Sequence, residues 1–95
     1  MLHTASVAMA VYNGEKYLPQ QIDSILDQLE PNDELVISYD KSSDKTLKLI
    51  KCYANKDNRI KLLVNKHPGV VSNFNNALNA CTRDIIFISD QDDIW

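Results

Sequence analysis

Apolar residues run along this chain in short blocks that alternate between two spacings. Residues 4–11 form an apolar, β-compatible run, and Tyr12-Asn13-Gly14 ends it with turn chemistry. Over residues 15–29 the apolar positions are Leu18, Ile22, Ile25, Leu26 and Leu29, the three-and-four spacing of one helix face. Pro19 falls in the first turn of that helix, where its missing N–H does no harm. Glu30-Pro31-Asn32-Asp33 reads as a turn and residues 34–38 as a second strand. Ser42, Ser43 and Asp44 offer N-cap oxygens for a second helix, on which Leu47, Ile50 and Tyr53 recur as far as about Ala54. Residues 60–64 predict a third strand, followed by the breaker His67-Pro68-Gly69. Residues 72–81 repeat the helical spacing through Phe74, Ala77, Leu78 and Cys81. Residues 85–89 predict a fourth strand that leads straight into Asp90.

The predicted order is β-α-β-α-β-α-β, with helices long enough to serve as crossovers between parallel strands. The expected fold class is therefore α/β: an open, mainly parallel four-stranded sheet. In such sheets ligands bind outside the carboxyl ends of the strands, near the point where strand order reverses. A length of 95 residues allows one small domain, and 44% hydrophobic with 24% charged residues is ordinary for a folded chain. The formal charge of −3 argues against a nucleic-acid partner. Apolar runs are too short to span a bilayer, and the N-terminus lacks the pattern of an export signal, so a cytoplasmic location is expected. Cys52 and Cys81 are expected to be reduced thiols packed in or near the core.

Candidate chemistry gathers at the strand ends. Tyr12-Asn13-Gly14 follows the first strand, Tyr39-Asp40 the second, Asn65-Lys66-His67 the third and Asp90-Gln91-Asp92-Asp93 the fourth. Three carboxylates in four residues repel one another unless a cation or protons relieve them. Hard divalent ions such as Mg²⁺ or Mn²⁺ take such oxygen ligands together with substrate phosphates. The bland alternative is a solvated acidic turn. Asp40 can accept a hydrogen bond from the imide N–H of uracil or thymine; its alternative role is to cap the following helix. Tyr12 can lie against a base, or simply cover the sheet edge. With only Gly14 and Gly69 in the chain, neither the dinucleotide fingerprint nor a P-loop is present, so a diphosphate here would depend on a metal. His3 and His67 are isolated and read as surface residues.

The segments Ser6-Val-Ala-Met-Ala-Val-Tyr12-Asn13-Gly14, Tyr17-Leu18, Gln21-Ile22, Ser24-Ile25, Gln28 and Ser89-Asp-Gln-Asp-Asp-Ile-Trp95 resemble family 2 glycosyltransferases over nearly the whole chain. The flavour is that of the rhamnosyltransferase-like group of surface-polysaccharide enzymes. The resemblance implies a GT-A fold and an inverting, metal-dependent enzyme. Its donor would be a UDP- or dTDP-sugar, and its acceptor a saccharide or lipid-linked molecule. It also implies that Ala10, Val11 and Tyr12 contact the base, with Asp40 as its acceptor. Asp90 would approach the ribose or the metal, Asp92 would ligate the metal, and Asn13, Asp93 and Asn76 would support the donor site. Two positions depart from the family pattern. Tyr39 and Lys41 flank Asp40 where two acids and then Gly or Asn are usual, and Phe74 stands where many members carry Arg.

The family's acceptor-binding half and catalytic base follow the acidic motif, so residues 1–95 are expected to be the N-terminal, nucleotide-sugar-binding part of a truncated GT-A domain. Membrane association is expected only through the missing part, and exposed strand edges are expected to favour self-association. Two rival readings stand beside this one. A metal-dependent nucleotidyltransferase would show a Gly-rich, basic first loop. A non-catalytic Mg²⁺-binding receiver-type module would carry acids after the first strand.

Overall fold

In the computed structural model, residues 3–90 are described. The elements run β1 (Ala5–Val11), α1 (Leu18–Leu26), β2 (Glu34–Tyr39), α2 (Thr46–Lys56), β3 (Ile60–Val64), α3 (Val70–Ala80) and β4 (Ile85–Asp90). All strand pairs are parallel, and the sheet order is β3-β2-β1-β4. The α/β expectation holds, with the strands placed to within a residue or so of the sequence reading.

Strand order explains which face each helix covers. The first two crossovers step the same way across the sheet, from β1 to β2 to β3, so right-handed connections put α1 and α2 on one face. The third crossover steps back past β1 to β4, so α3 lies on the other. Odd-numbered residues of β1 and β2 (Val7, Met9, Val11, Leu35, Ile37 and Tyr39) pack against Leu18, Ile22 and Ile25 of α1 and Ile50 of α2. The second core is thinner, built on Ala8, Val36 and Ala77 with Leu63 and Leu78 at its margin. Small side chains at Ala8 and Ala77 let α3 lie close to the sheet, and the space beyond them towards the strand ends is filled by polar groups.

At the amino edge of the sheet one buried carboxylate ties the strands together. Glu34 accepts from the Ser6 hydroxyl of β1 (2.6 Å), from Lys61 of β3 (2.6 Å) and from the Thr82 N–H before β4 (2.8 Å). Burial pushes its carboxyl up, but hydrogen bonds from Lys61, Ser6 and Thr82 outweigh burial and hold it at about 2. Among the described residues β4 is an edge strand paired only to β1, and Ile85, Ile86, Phe87 and Ile88 along it are all exposed.

Two sequence expectations are corrected. The first helix, Leu18–Leu26, is shorter than the 15–29 window of helical spacing, although Pro19 does stand in its first turn: residues 15–17 form a turn in which Gly14 O accepts from both Tyr17 N and Leu18 N. Cys52 is not in or near the core: it is exposed on the outer side of α2, while Cys81 is half-buried beside the second core, and both are free thiols. Leu47, Ile50 and Tyr53 already fill the inward arc of α2, which turns position 52 towards solvent.

Candidate functional site

Because all four strands are parallel, their carboxyl ends share one rim. The reversal in strand order falls between β1 and β4, the place at which open α/β sheets bind their ligands. Ala10 of β1 stands in register with Ser38 on one side and Asp90 on the other. The polypeptide thus brings Ala10, Val11, Tyr12, Asn13, Asp40 and Asp90 to one edge.

The first loop is held by the second. Asn13 takes a left-handed backbone (φ 48°), a conformation Asn tolerates well. Its N–H donates to Ser42 Oγ (2.8 Å), and its Oδ1 accepts from Ser43 N (3.0 Å). Gly14 N donates to Thr46 Oγ1 (2.8 Å), Glu15 N to Asp44 Oδ2 (3.2 Å) and Lys45 N to Glu15 Oε1 (3.1 Å). The oxygens expected to cap the second helix are therefore shared with this inter-loop lattice. Only Asp44 reaches the start of α2, accepting from Thr46 N (3.0 Å), and its carboxyl is held below the usual range chiefly by the Thr46 hydroxyl. The lattice leaves Tyr12 projecting at the rim, 56% exposed.

Asp40 does not cap α2. It is 6% exposed, and both carboxylate oxygens bind the β3–α3 connection: Oδ1 accepts from Asn65 Nδ2 (2.7 Å) and Oδ2 from Gly69 N (3.1 Å). Asn65 Nδ2 also donates to His67 O (2.8 Å), and Asn65 Oδ1 accepts from Ser72 Oγ (3.3 Å). Each carboxylate oxygen has two lone pairs, so one acceptor position per oxygen remains beyond these bonds. Gly69 has φ 139° and ψ 150°, a region essentially restricted to glycine, and that conformation aims its N–H at Asp40.

The unusual neighbours of Asp40 have a simple place. Tyr39 belongs to the opposite face, in the core beneath α1 and α2, with its hydroxyl accepting from Ser42 N (2.9 Å). An acid at position 39 would face that apolar layer, so its absence leaves the Asp40 side of β2 untouched. Lys41 is exposed. Asn76 is half-buried, and its amide donates to Ser38 Oγ (2.9 Å), so it ties α3 to β2 and makes no recorded bond to Asp40.

Three residues to which the sequence reading gave no individual role complete the rim. Asn65 clamps Asp40. Asn73 is buried and donates to Val11 O (3.2 Å), holding the end of β1 against α3, while its Oδ1 is buried without a partner among the described residues. Gln21, fully buried in α1, donates to Ser89 Oγ (2.7 Å) and so anchors β4 one residue before Asp90. Asn65 was legible as a strand-end polar residue; a polar residue on an apolar helix face was the available signal for Gln21 and Asn73.

Carboxylate oxygens are the donors a hard divalent cation takes, and β4 delivers Asp90 to the rim. Asp92 and Asp93, the other acids expected to serve a metal, lie outside the described residues. Among the described residues no group of three or more His, Cys, Asp and Glu side chains could hold a metal ion.

Comparisons with known proteins bear on the fold and the family. The chain is 37% identical over 94 residues to UDP-Glc:alpha-D-GlcNAc-diphosphoundecaprenol beta-1,3-glucosyltransferase WfgD of Escherichia coli, covering 98% of this chain and 36% of WfgD. Its structure superposes on that of S. aureus TarS 1-349 in complex with UDP with a TM-score of 0.80 and 29% identity, over 94% of this chain and 27% of TarS. The mannosyltransferase PcManGT from Pyrobaculum calidifontis, solved with GDP-Man and Mn²⁺, shares the fold with a TM-score of 0.84 at 22% identity, over 98% of this chain and 28% of PcManGT. The chain spans about a third of the length of the curated relatives it matches. Residues 6–95 match the model of glycosyl transferase family 2, and the chain belongs to that family.

Proposed function

We propose that residues 1–95 form the donor-binding part of a family 2 glycosyltransferase that takes a UDP- or dTDP-sugar. The observation that carries this reading is the convergence at the β1/β4 reversal of an exposed aromatic, a buried carboxylate with acceptor capacity to spare, and the strand that leads into Asp90. Tyr12 lies against the pyrimidine, and the backbone of Ala10 and Val11 borders it. Asp40 accepts the imide N–H, a proton that cytosine lacks at that position. Asn65 and Gly69 hold the carboxylate still, so its free lone pairs point one way before the base arrives. Asn13 and Asn73 hold the β1 end, and Asn76 sets the distance between α3 and β2.

Asp90 and Asp92 would hold a divalent ion, Mn²⁺ or Mg²⁺, and Asp93 would support the donor-site hydrogen bonds. Such an ion, when bound, offsets the charge that develops on the leaving diphosphate. The catalytic base and the acceptor-binding residues lie outside residues 1–95. In the intact enzyme a carboxylate there takes the acceptor's proton, and attack opposite the leaving group inverts the anomeric centre. The acceptor is a saccharide or a lipid-linked saccharide, the latter supported by the acceptor named for WfgD. Phe74 in place of Arg and the ending Gln91-Asp92-Asp93-Ile94-Trp95 favour the rhamnosyltransferase-like subgroup. The chain by itself binds nucleotide and transfers no sugar.

Calorimetric titration with UDP, dTDP, GDP and ADP, each with and without Mn²⁺, tests the reading. Uracil or thymine nucleotides bind and purine nucleotides do not, and the heat depends on the metal. A purine preference, or metal binding indifferent to nucleotide, overturns it and returns the nucleotidyltransferase and receiver-type readings.

A further inference from the structure

The basic residues of this acidic chain are unevenly placed. Residues 41–56 hold five of its ten Lys and Arg and one of its thirteen Asp and Glu. Lys45, Lys48 and Lys51 recur every three residues along α2, so their Cα atoms span about 9 Å on one side of the helix. All three are exposed and line a single groove of about 580 Å³ with Leu47, Cys52 and Asn55. Among the described residues none of the three makes an ion pair. The one acid in the groove, Asp44, already accepts from Thr46 and from Glu15 N.

We propose that this face of α2 docks on an anionic phospholipid surface. Three unpaired ammonium groups on flexible stems in an open groove suit a plane of phosphates better than one enclosed anion. Single-stranded nucleic acid requires aromatic faces for stacking. The groove's only aromatic residue, Tyr39, is buried in the core with its hydroxyl engaged by Ser42 N. The row starts at the functional rim, because Lys45 N donates to Glu15 of the first loop. A docked α2 therefore sets that rim beside the bilayer. This inference does not depend on the identity of the donor, and it departs from the expectation that only a missing part meets the membrane.

Sedimentation of the chain with vesicles tests it. The expected result is binding to equimolar phosphatidylcholine and phosphatidylglycerol, weakened by salt, with little binding to phosphatidylcholine alone. The variant K45Q/K48Q/K51Q loses on the order of 100-fold in partition, at about fivefold per lysine. The control K16Q/K56Q/K66Q has the same net charge and loses markedly less, and circular dichroism shows both variants folded. Equal binding to the two vesicle types overturns the proposal and points to the apolar β4 edge. Equal loss in the two variants overturns it as well, as does the absence of vesicle binding. Tighter capture on single-stranded DNA than on anionic vesicles would replace it with a nucleic-acid partner.

Discussion

Replacing Glu34 by Gln keeps the side chain's size and removes its charge at the point where β1, β2, β3 and the approach to β4 are joined. In the folded chain the Glu34 carboxyl titrates at about 2 against an ordinary value of 4.5. It lies 2% exposed, so solvent screens its bonds little. The folded value is the lower one, so ionisation favours the fold. The contribution is complete above about pH 4.5 and is lost as pH falls towards about 2. At 1.36 kcal/mol per unit the difference is worth about 3 kcal/mol. Glu34→Gln should therefore destabilise the chain by about 2–3 kcal/mol at neutral pH, lowering Tm by roughly 10–20 °C in a domain of this size. Urea unfolding followed by circular dichroism at a series of pH values measures this directly. The gap between wild type and variant should narrow steadily through the acid range and close near pH 2, with unchanged m-values. A gap that stays constant with pH, or no gap at neutral pH, refutes the reasoning.

Other perturbations separate the rim from the scaffold. Asp40→Ala removes a charged acceptor and should weaken UDP binding by about 10- to 100-fold in calorimetry, while abolishing any preference for UDP over CDP. Asn65→Ala leaves Asp40 in place but unclamped; roughly tenfold weaker UDP binding is expected, with partial rescue in Asn65→Gln. Gly69→Ala meets no atom within 4 Å, so its cost is backbone strain alone, about 1–3 kcal/mol by urea unfolding. Ile22→Ala in the larger core should cost about 2–5 kcal/mol in the same assay.

The strands and helices were legible because each has its own period and each is bounded by turn residues. The three and four spacing of Leu18, Ile22 and Ile25 and the unbroken run into Asp90 needed no tertiary knowledge. Helix starts were less legible. Ser42, Ser43 and Asp44 have the chemistry of N-caps, yet Ser42 and Ser43 bond Asn13 across nearly thirty positions of sequence, and Asp44 is shared between that loop and Thr46. The rim was readable as a set of strand ends, since parallel strands put their carboxyl ends together whatever their order. What occupies each acceptor was not readable: that Asp40 meets Asn65 and Gly69 depends on α3 crossing back over the second face. The alternation of β2 explains why Tyr39 is harmless beside Asp40, but only a known core face assigns the sides. Glu34 gave no signal at all, because its partners come from positions 6, 61 and 82.

The convergence of strand ends on a metal-bound nucleotide is tested most directly by paramagnetic broadening of amide NMR signals on adding UDP with Mn²⁺. Amides of residues 10–13, 40, 65–67, 69 and 89–90 should broaden first, while Ala5, Ile60 and Thr82 at the opposite edge stay sharp. Broadening centred on the Glu34 edge, or scattered over surface carboxylates and unaffected by UDP, would contradict the assignment of the donor site.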